Sequence, residues 1–429
     1  MSHSASIRHT LRRDTFRGLA AGGTLYFVGN AMQVMATAWL MVELTGSSIL
    51  TALVQTAVFL PMFLLSLPAG VLADVTDRAR LLRIALLVQA ATVALLTALL
   101  MLDAAGAATL LVFTFVIGCC TAMLSPAWNT TVADSVPRDE LPQAITVVGI
   151  AYNGARALGP TLAGLVFATF GSDWVFAIAV VTTLAMWQSI RRWPPRPHPP
   201  SRLPAERLWG GTLAALRFAR HSHSILSQLV RTMAYAAAGS ALWALLPLIG
   251  QQQLGLGAAG FGALIGCLGV GAVGAGLVVG RARTRLGLEN VVAVGCVVFA
   301  AAMAITVWTR LPWLVYAVLL AAGAAWMSVM STFNTATQTS APPWVRSRAA
   351  ALHALAALGA FAFGSALWGV VSSAFGLRVA LSTATVTMLA GLLLKRPFPL
   401  RMGLDPEVTP AAPWEDLFVA EEPDPQAGP

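Results

Sequence analysis

One pattern of residues occurs twice in this chain at a fixed spacing of 205 positions. Asn129, Thr130, Ser135 and Pro137 recur as Asn334, Thr335, Ser340 and Pro342. Gly159, Leu162, Gly164 and the pair Phe170-Gly171 recur as Gly364, Leu367, Gly369 and Phe375-Gly376. Upstream, Leu72, Arg78 and Arg80 recur as Leu277, Arg283 and Arg285. A constant offset held across three segments marks a duplicated half, so the chain must fold as two similar units joined by a connector.

Each half is overwhelmingly apolar. Over 429 residues, 57% are hydrophobic and only 10% are charged, whereas a soluble domain carries about a quarter charged residues. Runs of about twenty apolar residues, the length that spans a bilayer, centre near Asn30, Phe63, Thr92, Val116, Ala155 and Val181. In the second half they centre near Ala238, Leu268, Phe299, Ala325, Phe361 and Thr385. The expected fold is therefore all-α and membrane-integral, with twelve transmembrane helices in two six-helix bundles related by an axis along the membrane normal.

The net charge of +9 is a topology signal. Arginines collect in alternate connections: Arg8 to Arg17, Arg78 to Arg83, Arg138, Arg191 to Arg220, Arg281 to Arg285, Arg346 with Arg348, and Lys395 to Arg401. Of the connections on the other side, only those holding Arg310 and Arg378 are basic. Positive charge stays on the cytoplasmic face, so both termini are expected in the cytoplasm and no nucleic-acid partner is. Cys119, Cys120, Cys267 and Cys296 lie inside apolar runs, with neither disulfide nor metal spacing. No cleavable leader is expected, since the first apolar run is full length.

The expected organisation is residues 1–190 and 225–395 as the two bundles. A cytoplasmic linker, 191–224, opens with prolines that forbid a helix, and then reads as an amphipathic helix or a solvated connector. The acidic, proline-rich tail, 396–429, is expected to be loosely held.

The connection after the second run reads Gly70-Val-Leu-Ala-Asp74-Val-Thr-Asp77-Arg78-Ala-Arg80. It resembles the loop between helices two and three of the major facilitator superfamily. The resemblance implies a gating latch of Asp74 with Arg78 and Arg80, beside Gly70 and Asp77; a charged loop serving topology alone would contain the same residues. Its copy in the second half has Val279 where Asp74 stands. The fifth run, Asn153-Gly-Ala-Arg156-Ala-Leu-Gly159-Pro160-Thr-Leu-Ala163-Gly164, resembles the antiporter element of that superfamily, with Ala163 replacing a glycine. Gly159, Pro160 and Gly164 are the expected gating positions there. Together with Leu44-Thr-Gly-Ser47 and Trp344-Val-Arg-Ser-Arg348, these segments resemble the transmembrane secretion effector, or enterobactin-exporter-like, branch of the superfamily over about residues 15–395.

Arg156 falls mid-span, where an unpaired cation costs at least about 2.5 kcal/mol, and its repeat counterpart is Phe361. The shared scaffold therefore does not demand the charge. A substrate or gating role explains it, as does a structural bond to carbonyls and Asn153. Tyr26, Asn30, Gln33 and Thr37 share one face of the first helix and are expected to line a wet cavity. No acid lies near a span centre, so proton coupling, which the resemblance implies, has only Glu43 and His353 as candidate carriers, and a structural role explains each of them more readily. The expected function is secondary export of small amphipathic molecules, siderophore-like or otherwise anionic, across the cell (inner) membrane. Broad drug or macrolide efflux is the alternative. The protein is expected to be a monomer that uses no cofactor. Neither an embedded enzyme nor a non-transporting receptor is expected, because there is no cluster of catalytic side chains at membrane depth and no added soluble domain.

Overall fold

The computed structural model describes residues 7–193, 217, 219–342 and 345–400, with the side chains of 7, 8, 71 and 73–75 left out. A short helix, α1 (Ile7–Leu11), precedes six long ones: α2 (Asp14–Thr45), α3 (Ser48–Val75), α4 (Arg78–Met101), α5 (Ala107–Asp134), α6 (Leu141–Phe170) and α7 (Ser172–Arg192). Six more follow: α8 (His223–Leu248), α9 (Ala258–Leu286), α10 (Leu288–Trp308), α11 (Pro312–Ser340), α12 (Arg346–Phe375) and α13 (Leu377–Ala390). A π-turn (Ile249–Gln253) extends α8 and a 3-10 turn (Gly391–Lys395) extends α13. Each of the twelve expected span centres falls within one of the long helices. The proline-rich and amphipathic parts of the linker, and the tail from 401, lie outside the described residues.

Eleven of the described helices are long and apolar enough to cross a membrane. The twelfth long helix, α6, is not among them because Tyr152, Asn153, Arg156 and Pro160 dilute its hydropathy. Its counterpart α12 begins and ends 205 residues later, and this repeat identifies α6 as a span. Hydroxyls within the spans are satisfied by their own helix at several positions: Thr97 and Thr114 donate to the carbonyls of Val93 and Leu110 one turn back, in keeping with the lack of water in a bilayer. Helices stop where the backbone turns left-handed. Gly171 (φ 95°) separates α6 from α7, and Gly376 (φ 88°) does the same between α12 and α13, a conformation that glycine adopts without steric cost.

Both halves pack alike. In the first, α2 lies on α6 and α7, α3 on α5, and α4 on α5 and α7; in the second, α8 lies on α12 and α13, α9 on α11, and α10 on α11 and α13. The halves meet mainly through two contacts that the repeat relates to one another, α6 with α9 and α3 with α12.

These contacts are tight at one end and open at the other. A Cβ on Gly164 would stand 2.5 Å from the Ala258 carbonyl oxygen, and one on Gly269 would stand 2.4 Å from the Ala157 Cα. Further along the same face of α9, a Cβ on Gly276 or Gly280 would meet no atom of α6. The tight end is also bridged by Trp39, stacked on Phe261 at 5.3 Å between ring centroids, and by Gln252 Nε2 donating to the Gly46 carbonyl at 3.2 Å. The cleft between the halves thus opens on the side of the arginine-rich connections.

The chain beyond Lys395 is held more firmly than its composition suggests. Leu400 is buried and its N–H donates to Glu289 at 2.7 Å, while Phe398 stacks on His223. For residues 396–400, the expectation of a loose tail is corrected: two apolar side chains and a carboxylate acceptor hold the segment to the bundle.

Candidate functional site

Arg156 is exposed on α6. At about 100° per residue it stands roughly opposite Leu158, Leu162 and Leu165, which are exposed on the membrane side. Gly159, on the side nearer Arg156, packs against α2, where a Cβ would lie 2.8 Å from that of Ala31. Ala157 and Pro160 face α9. The guanidinium therefore projects between α2 and α9, into the cleft. Its carbon sits 5.8 Å from the Tyr152 ring centroid, and Tyr152 in turn meets Phe27 edge-on at 5.3 Å. Among the described residues no carboxylate comes within ion-pair distance of it. Asn153 is exposed beside it, with its amide donating to the Gly149 carbonyl at 2.8 Å.

The polar stripe of α2 is mostly withdrawn from water. Tyr26, Gln33 and Thr37 are buried and Asn30 is half-buried. Tyr26 Oη donates to Gln89 Oε1 on α4 at 3.1 Å, and Thr37 Oγ1 to the Gln33 carbonyl at 2.9 Å. The expectation of a wet lining thus meets a stripe of which Asn30 alone is accessible in this conformation. Thr37 lies at the tight end, two residues from the Trp39–Phe261 stack.

At the α3–α4 connection, Asp77 Oδ1 accepts from the Arg80 N–H at 3.1 Å and so caps α4. Arg78 pairs with Asp134 at the end of α5, 3.1 Å away. Arg80 is exposed, and open space surrounds the Cα of Gly70. The Asp74 side chain lies outside the described residues. In the second half, Arg283, the counterpart of Arg78, donates to Thr335 Oγ1 and the Ser331 carbonyl, so a neutral contact replaces the ion pair.

Pro160 and Gly164 belong to the tight α6–α9 contact. Of the two candidate proton carriers, Glu43 is exposed at the closed end and accepts from Trp39 Nε1 at 2.6 Å. His353 is buried, with Nδ1 3.3 Å from Thr232 Oγ1.

Two ionic clusters escaped the sequence reading. Arg231, 4% exposed, donates to both carboxylate oxygens of Glu289 at 2.8 and 2.9 Å and stands over the Phe333 ring. Glu140, 2% exposed, accepts from Arg13 Nε and Nη2 and lies 3.3 Å from His9 Nδ1. The Arg13 hydrogen bond holds the Glu140 carboxyl below its ordinary range. Neither pair could be found from spacing, because the partners lie 58 and 127 residues apart.

Known proteins share this architecture. The chain is 26% identical over 393 residues to the multidrug efflux pump Tap of Mycolicibacterium fortuitum, covering 87% of this chain and 92% of that protein. Over 153 residues it is 25% identical to the Staphyloferrin A transporter of Staphylococcus aureus, 35% of this chain and 38% of that one. The fold matches the nucleoside transporter NupG with a TM-score of 0.73 at 12% identity, covering 90% of this chain and 100% of the other. It matches a bacterial homologue of the iron transporter ferroportin, in an inward-facing state, at 0.72 and 14% identity, covering 90% and 99%. The model of the transmembrane secretion effector family matches residues 5–429. With its duplicated bundles and cleft, the chain belongs to that family of major facilitator membrane transporters.

Proposed function

We propose that this transporter exports small amphipathic molecules bearing negative charge, siderophore-like compounds among them, across the cell membrane by alternating access driven by a proton gradient. The observation that carries the reading is Arg156: a mid-span cation turned into the cleft, resting on an aromatic ring, with no carboxylate to neutralise it among the described residues. A cation kept at that depth is costly, and an anionic ligand in the cleft offsets the cost. The arginine-rich face is taken as cytoplasmic. The cleft then opens inward, the state in which an exporter loads, and Asn153 and Asn30 are the accessible polar groups near Arg156. Thr37, at the tight end, joins them when that end opens.

Broad drug efflux is the second reading, favoured by the likeness to a multidrug efflux pump along most of the chain. Counterflow into proteoliposomes separates the two. Arg156→Gln is expected to weaken uptake of an anionic substrate about ten- to a hundredfold, the worth of a charged hydrogen bond in a dry site, while cationic or neutral drugs are carried as before. Arg156→Lys keeps the charge but not the fork, so it should retain part of the activity. Unchanged anion transport by the Gln variant overturns the proposal. Collapse of the pH gradient with an ionophore is expected to stop accumulation.

A further inference from the structure

The repeat that relates the two halves places Phe361 on α12 where Arg156 stands on α6. Phe361 belongs to an aromatic cluster. Its ring lies 4.6 Å from Phe59 on α3, 5.9 Å from Trp326 on α11 and 6.4 Å from Trp243 on α8. Trp326 meets Trp243 at 6.1 Å and stacks on Tyr235 at 5.2 Å.

Three observations bear on what this cluster can do. First, the backbone makes room for it: a Cβ on Gly239 would stand 2.6 Å from the Trp326 ring, so only glycine there lets the indole lie against α8. Second, the two indoles are half-buried rather than sealed, and Trp326 lies on the side of α11 turned away from the exposed Ala317 and Ala321. Third, the Trp243 Nε1–H is shielded and, like those of Trp128 and Trp187, has no acceptor among the described residues, which costs free energy away from water.

The repeat axis runs along the membrane normal, so positions it relates lie at one depth. At the level where the first half presents a guanidinium, the second places the half-buried indoles of Trp326 and Trp243, with the Phe361 ring buried against them. We infer that Trp326, Trp243 and Phe361 form an aromatic subsite facing the Arg156 wall, and that the transported molecule is an organic anion carrying an aromatic ring, which stacks on the indoles while its acidic group meets Arg156. This rests on the proposal that Arg156 meets the anionic end. The aromatic subsite adds a second, separable requirement.

The test uses the purified full chain in nanodiscs and two probes of equal charge and similar bulk, 1-naphthoate and its fully saturated analogue, decahydronaphthalene-1-carboxylate. Affinities are read by calorimetry. The wild type is expected to prefer the aromatic probe by about three- to tenfold, the scale of an aromatic pair beyond simple burial. Trp326→Leu and Phe361→Leu, which keep apolar bulk but remove the π face, should bring the ratio close to one. Arg156→Gln should weaken both probes together and leave the ratio standing. A ratio unmoved in the leucine variants, or a wild type that binds both probes equally, overturns the subsite. Should Arg156→Gln bind both probes as the wild type does while the leucine variants lose the preference, the charge reading fails and the aromatic one survives. If Trp326→Leu is not monodisperse, Phe361→Leu decides.

Discussion

Gly262 approaches α6 so closely that a Cβ on it would stand 2.4 Å from the carbonyl oxygen of Pro160. The two residues belong to different halves, and no side chain stands between their backbones. The contact continues through Gly164 to Ala258 and through Gly266 to Thr161. Small residues on both sides permit the approach, as they do where membrane helices pack closely.

Gly262→Val would force the halves apart where their backbones approach closely. We expect a stability loss of about 1–3 kcal/mol, as for overpacked cores, and loss of transport while membrane insertion persists. Thermal unfolding and counterflow of the same preparation check both. A variant that transports normally would show that the contact yields without consequence.

Asp74 and Asp77 stand three residues apart and are expected to answer differently. Asp77 caps α4 through its oxygen, a role that asparagine fills nearly as well, so Asp77→Asn should transport normally and Asp77→Ala should lose about 1 kcal/mol. Asp74 is proposed as the latch carboxylate, and Asp74→Asn should slow transport with insertion intact. Equal transport by the Asp74→Asn variant and the wild type would reduce the loop to a topology signal.

Glu140 fastens the start of α6 to Arg13. Its carboxyl is held below the ordinary range by that hydrogen bond, so its contribution is complete above the unfolded value, about 4.3, and fades as pH falls through the lower folded value. Thermal unfolding of wild type and Glu140→Gln should therefore differ by a constant amount from about pH 5 to 8 and converge in stronger acid. A gap that widens in acid would contradict the pairing.

Glu289→Gln is expected to cost about 3–5 kcal/mol, because it leaves the buried Arg231 without a counter-charge and deprives Leu400 of a charged acceptor. Replacing both partners, Arg231→Met with Glu289→Leu, should recover most of the loss. Thermal unfolding reads both variants. If the double variant is no better than the single one, the buried charge is not the source of the cost.

The fold was legible because its signals are periodic. Apolar runs of bilayer length and a 205-residue offset survive in sequence whatever their neighbours, and the offset located α6 despite the polar run from Tyr152 to Arg156. The mid-span position of Arg156 and the small residues Gly159 and Gly164 were legible for the same reason: a charge or a glycine inside a span stands out against its apolar setting. The pairs Arg231–Glu289 and Arg13–Glu140 were not, since each joins span ends that only the packing of the bundle brings together. Periodicity placed Gln33 and Thr37 on the face of Asn30, yet whether that face meets water depends on how closely the halves approach at that level. Asp77 sits in a motif whose resemblance suggests a latch, and the N–H it accepts from is set by where α4 begins.

The α6–α9 contact has a mechanical consequence. Where two helices meet through glycine and carbonyl oxygen, with Thr161 reaching across to Gly262 and Gly266, few side chains interlock. One half can then rock on the other like a wheel on a smooth rail. Resistance to that motion comes from the aromatic contacts between the halves, the Trp39–Phe261 stack at the closed end and Phe59 against Phe361 where α3 meets α12.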